Sequence, residues 1–234
     1  MKRAGFVALC LALTALFVGL GIWQVERRAW KLDLIEKVEG RVHAAPSPLP
    51  AREQWNGDLA YRRVRVTGTF LHDRETLVQA LTALGGGWWV VTPLRTAAGT
   101  ILVNRGYVPD DKRDPATRLA AQPVGEVSVT GLIRTTEPGG GFLRSNDPAG
   151  NRWFSRDVAA IAKAKRLGAV IPFFIDADAT PNPGGYPVGG LTVIAFNNNH
   201  LGYALTWFSL AVLCVGGVVM VIRSGRRGGS SNAE

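Results

Sequence analysis

Across 234 residues the chain is 47% hydrophobic and carries 27 basic against 18 acidic residues, a formal charge of +9. That composition excludes a disordered chain and leaves room for one folded domain plus membrane segments. The charge does not point to nucleic acid. Lys2, Arg3, Arg223, Arg226, Arg227 and Glu234 lie outside residues 24–202, which keep 22 basic and 17 acidic residues and no basic run with interleaved aromatics.

Residues 5–23 carry no charge and follow Lys2 and Arg3. A retained membrane helix is the expectation, and a cleaved signal peptide the alternative, because the run is long and no A-x-A precedes a plausible cut. Ala4, Ala8, Ala12, Ala15 and Gly19 form a small-residue stripe suited to packing on the last helix or on another protein. Residues 24–35 should continue the helix beyond the membrane. There Gln24, Arg27 or Arg28, Lys31 and Ile35 share a face that either meets headgroups or docks a partner. Residues 44–50 are proline-rich and read as a linker.

From Tyr61 the period becomes two, which predicts a strand through Phe70. Further strands are expected at 75–80, 88–94, 100–108, 126–135 and 169–176. Ala97-Ala98-Gly99 should turn between the third and fourth. Ser155 is placed to cap a helix through about Leu167, ended by Gly168. A last strand, 191–196, should feed the second apolar segment. The fold class is therefore α+β: a mostly antiparallel extracytoplasmic domain, able to close into a partly open barrel, flanked by two transmembrane helices.

Asn197-Asn198-Asn199-His200 leads into residues 203–222, which carry no charge. Twenty helical residues span about 30 Å, a bilayer's hydrocarbon thickness. Two readings stand for His200, Tyr203 and Trp207: an aromatic belt with a polar helix start, or a ligand site anchored by imidazole. The positive-inside rule, applied to Lys2, Arg3, Arg223, Arg226 and Arg227, gives a cytoplasmic N-terminus (1–4), a first span (5–23), a periplasmic domain (24–202), a second span (203–222) and a cytoplasmic tail (223–234).

Catalytic motifs are missing from the sequence: there is no G-x-S-x-G, G-x-G-x-x-G, P-loop, H-E-x-x-H or C-x-x-C-H, so no enzyme activity is expected. The cysteines, Cys10 and Cys214, both lie in apolar segments, which leaves the intervening domain without a disulfide or thiolate metal site. Copper delivery fits poorly for the same reason. Asp176 and Asp178 read as a turn, and Asp110, Asp111 and Asp114 as a solvated loop.

Gly21-Ile22-Trp23-Gln24 with Arg27, Lys31, Leu34 and Ile35, then Thr92-Pro93-Leu94 and Leu102-Val103-Asn104-Arg105-Gly106-Tyr107-Val108-Pro109, and finally Asn198-Asn199-His200-Leu201 with Tyr203-Ala204 and Thr206-Trp207-Phe208, occur in that order. Together they resemble the Surfeit locus protein 1 family, whose members often have Trp where Tyr107 stands. The resemblance implies a factor in the inner membrane that assists assembly of aa-type cytochrome c oxidase. It further implies binding of heme a, delivery to oxidase subunit I, and contact with the heme a synthesis machinery. His200 is then the implied heme ligand, with Tyr203, Trp207, Trp23 and Gln24 as pocket lining. Arg105 would more simply fix a strand end. The alternative is a membrane scaffold for an oxidase intermediate that touches no heme.

Overall fold

The first apolar segment opens a single helix, α1 (Lys2–His43), which has no proline until Pro46 and stops just short of it. It runs eight residues further than the sequence reading carried it. The structure, a computed structural model, describes the backbone of residues 2–141 and 143–229 and the side chains of residues 3–141 and 143–224. The side chains of Lys2, Arg226 and Arg227, and all of Glu234, which the charge argument uses, lie outside those described residues. Two compact units form: one holds the chain up to Lys37 and from Ala195 on, the other Val38–Ile194.

In the first unit, α1 and the final helix, α3 (His200–Gly229), are each long and apolar enough to cross a membrane. Residues buried or half-buried on α1 include Cys10, Thr14, Phe17, Gly21, Gln24, Arg28 and Lys31, and on α3 His200, Ala204, Trp207, Ala211, Cys214 and Val218. Both sets alternate spacings of three and four, the seven-residue seam of two packed helices. Phe17 stacks on Trp207 at 5.7 Å and 22°, and Gly21 faces the Phe208 ring so closely that a Cβ would collide with it. The expected small-residue contact is therefore corrected. Ala4, Ala8, Ala12, Ala15 and Gly19 are exposed, and a Cβ added at Gly19 would meet nothing. Large rings fitted into small neighbours fill this seam better than a stripe of alanines would.

In the second unit, the strands are β1 (Arg63–Phe70), β2 (Thr76–Thr82), β3 (Gly85–Thr96), β4 (Gly99–Val108), β5 (Glu126–Thr135) and β8 (Val170–Ala177). A two-residue pair, β6 (Gly140–Gly141) and β7 (Arg144–Ser145), lies apart. The order is β1-β5-β8-β4-β3-β2, and a further β1–β3 pairing through Thr69↔Arg95 and Phe70↔Leu94 closes a five-stranded partial barrel with β2 outside it. Among the strands of the described residues, β4 with β8 is the one parallel pairing. Gly68 sits at the closure, where any Cβ would strike the Arg95 carbonyl.

Alternation sends successive side chains to two cores. Val64, Val66, Ile101, Val103, Ile133, Phe173 and Ile175 fill the barrel. Leu102 and Phe174, one residue out of step, join Val78, Val91 and Trp153 beneath α2 (Val158–Ala164) through Val158 and Ile161. The Pro-rich segment is more than a linker, because Ser47 bridges to Val64 along β1.

Two expectations are overturned. The α2 cap is Asp157, whose carboxylate accepts from the Ala160 N–H at 3.0 Å; Ser155 instead donates to the Glu137 carbonyl at 2.7 Å. The helix stops at Ala164, and Arg166 takes the left-handed turn. Residues 191–196 form no strand. The barrel has already closed, with β8 flanked by β5 and β4, so no edge is left there for them.

Candidate functional site

His200 is the first residue of α3, and its imidazole meets Gln24 of α1: Nδ1 lies 2.7 Å from the Gln24 Oε1. A carbonyl oxygen only accepts, so Nδ1 carries the proton and donates it. The remaining lone pair is on Nε2, which makes no hydrogen bond among the described residues. An imidazole held through one nitrogen with the other free is the arrangement protein metal ligands use. Gln24 is 9% exposed, so its amide is a buried partner and not a surface accident. The donor set suits an iron-centred group, for which neutral imidazole is a standard axial ligand. Close by in sequence, Asn198 Oδ1 is buried without a donor.

Among the five residues named from the sequence, the structure brings together His200 and Gln24, and it sets Trp207 two turns along the same seam against Phe17. Tyr203 and Trp23 point outward, 57% and 53% exposed. Phe17 escaped the sequence reading, which put the α1 side of the seam on the small-residue stripe. The spacing Cys10, Thr14, Phe17, Gly21, Gln24 was the available signal. On the same α1 face, Lys31 lies over the Phe196 ring at 5.5 Å.

The second unit holds a buried polar hub that the sequence reading took for a turn. Asp176, 3% exposed, accepts from Asn104 Nδ2 at 2.8 Å, Arg156 Nη1 at 3.0 Å, Thr192 Oγ1 at 3.0 Å and Arg134 Nη1 at 3.3 Å. Burial works to raise the Glu137 carboxyl, but the Arg156 guanidinium overrides it and holds Glu137 below the usual carboxylate value. Burial also works against the Arg156 cation, which Asp176 and Glu137 keep charged. Asp176, Asn104, Arg134, Arg156 and Thr192 border a cavity of about 250 Å³. Its charges pair internally, Arg134 and Arg156 both with Asp176. Arg105 does more than fix a strand end: it donates to the Ala121 carbonyl and to Asn182 Oδ1 at 3.0 Å, tying two loops to β4. Among the described residues, no group of three or more His, Cys, Asp or Glu could hold a bare metal ion.

The SURF1 family model matches residues 11–212. Surfeit locus protein 1 of Mus musculus is 41% identical over 217 residues, covering 86% of this chain and 70% of that protein. The Homo sapiens protein of the same name is 42% identical over 224 residues, covering 88% and 73%. A SURF1-like protein of Monosiga brevicollis is 37% identical over 239 residues, covering 96% and 90%. A family match across both helices and the barrel, with this identity over most of each sequence, places the chain in the SURF1 family.

Proposed function

We propose that the chain is a membrane-anchored assembly factor for aa-type cytochrome c oxidase that binds heme a and aids its delivery to subunit I. The observation that carries this reading is the His200–Gln24 pair, which leaves the Nε2 lone pair without a hydrogen bond among the described residues. When bound, the heme would supply an iron centre that takes an imidazole nitrogen. The chain supplies the rest. His200 would hold the iron through Nε2, Gln24 would orient the ring through Nδ1–H, and the Phe17–Trp207 stack stiffens the seam below. The apolar outer faces of both helices suit a lipid-tailed cofactor. The barrel's part in this reading is to hold an oxidase intermediate or the heme a synthesis machinery.

The test is the visible spectrum of protein purified in detergent from heme a-making cells, with and without His200→Ala. Loss or alteration of heme absorbance at normal membrane levels is expected. Unchanged absorbance would place the ligand elsewhere, and disappearance from the membrane would make His200 structural. The same reading puts the barrel in the periplasm of an inner-membrane protein with cytoplasmic termini. An alkaline phosphatase reporter at Ala120 should then be active and one after Arg227 inactive; the reverse would overturn that placement.

A further inference from the structure

Beneath one rim of the barrel lies a cavity of about 280 Å³, bordered by Phe70, Val127, Pro181, Arg105, Asn182 and Asp178 among others. Its wall holds a buried cation that bonds no carboxylate among the described residues. Arg105 is 3% exposed; its Nη2 is used by Ala121 and Asn182, while Nη1 is buried with no acceptor among the described residues. The guanidinium carbon lies 4.8 Å from the Phe70 ring centroid, a contact that steadies the charge without accepting its hydrogen bonds.

The acids nearby are occupied. Glu75 is bound at both oxygens by Arg118, and that pair is almost wholly buried. Asp178 accepts from Thr180 Oγ1 at 2.6 Å and lies 3.7 Å from Arg63. Buried guanidinium groups ordinarily meet a carboxylate or phosphate that takes two N–H donors in parallel. Here burial pushes Arg105 down to about 10.

We propose that this cavity binds a small organic monocarboxylate, its carboxylate on Arg105 and its apolar body against Phe70, Val127 and Pro181. One cation, apolar walls and the carboxylate of Asp178 in the lining together disfavour a phosphate dianion. An uncharged ligand could accept from Nη1 but would leave the buried cation without a counter-charge. This assignment is independent of heme binding at His200.

The probe is benzoate, titrated calorimetrically into the full chain in detergent, with benzyl alcohol and inorganic phosphate as comparisons. Benzoate should bind saturably and at least ten-fold more tightly than either. Arg105→Lys keeps the charge but removes the fork, and should weaken benzoate at least ten-fold. Because Arg105 also ties two loops, a second variant guards against misfolding. Ser128→Trp, at an exposed strand position lining the cavity, should fold normally and abolish binding by filling the space. Benzoate binding equal to that of benzyl alcohol, or binding undiminished in Ser128→Trp, would overturn the assignment.

Discussion

His200 Nδ1 and Gln24 Oε1 stand 2.7 Å apart although 176 residues separate them in sequence. The contact joins the start of one apolar helix to the end of the other's apolar run, and it fixes which imidazole nitrogen keeps its lone pair. Partners of this kind typically change metal affinity by about 10–100-fold when lost.

Gln24→Leu should therefore weaken heme binding by roughly that factor while leaving the protein in the membrane. Gln24→Glu, which still accepts from Nδ1–H, should restore most of it. Heme titration of the purified variants decides the point. Equal affinity for Gln24→Leu and wild type would show that Nδ1 needs no partner.

The helix seam gives a second expectation. A side chain at Gly21 would occupy the space of the Phe208 ring, whereas Gly19 faces open surroundings. Gly21→Leu should cost about 1–3 kcal/mol, the usual range for overpacking. Gly19→Leu should change little. Thermal unfolding in detergent compares them, and equal losses would place both glycines on the same contact.

Much of this arrangement was legible beforehand. Val64, Val66 and Phe70 announced a strand by their period, and the β5 limits at Glu126 and Thr135 were read correctly because Gly and Pro bracket that run. The seam was misread because small residues on a membrane helix satisfy two patterns equally. Only the partner's rings, Trp207 and Phe208, show which one is filled. Asp176 looked like a turn residue because its partners, Asn104, Arg134, Arg156 and Thr192, are scattered over 89 positions of the sequence and meet only once the barrel closes. His200 was legible as a candidate, while Gln24 as its specific partner needed the third dimension.

The pair Arg118–Glu75, with side chains 2% and 6% exposed, sets up a third test. Removing Glu75 alone leaves a buried guanidinium without its carboxylate, a change that typically costs about 3–5 kcal/mol. Glu75→Leu should fall in that range by chemical denaturation. Arg118→Met added to it should recover part of the loss, although Arg118 also bonds the Lys112 carbonyl at 2.9 Å. A cycle showing simple additivity would mean that the two charges do not stabilise each other.

The last expectation concerns His72, whose ring lies beside Phe70 at the rim that also holds Arg105. Its Nε2 is 3.1 Å from the Pro123 carbonyl, which can only accept, so Nε2 carries the proton in the neutral ring. Nδ1 is buried without a partner among the described residues. Charging the ring would put a second N–H there with nothing to receive it. Burial accordingly pushes His72 below its ordinary 6.5; the Pro123 bond opposes this, and the Arg105 charge adds to it. Between the lowered folded value and 6.5 the unfolded chain holds more proton than the folded one, so stability rises with pH across that window and falls on acidification below about 6.5. Glu137, also depressed, loses its contribution only at lower pH, beneath its ordinary 4.5. The melting temperature should therefore drop between pH 7.5 and 5.5. His72→Gln, whose amide can still donate toward Pro123, should flatten that drop, and an unchanged slope in the variant would assign the acid sensitivity to another group.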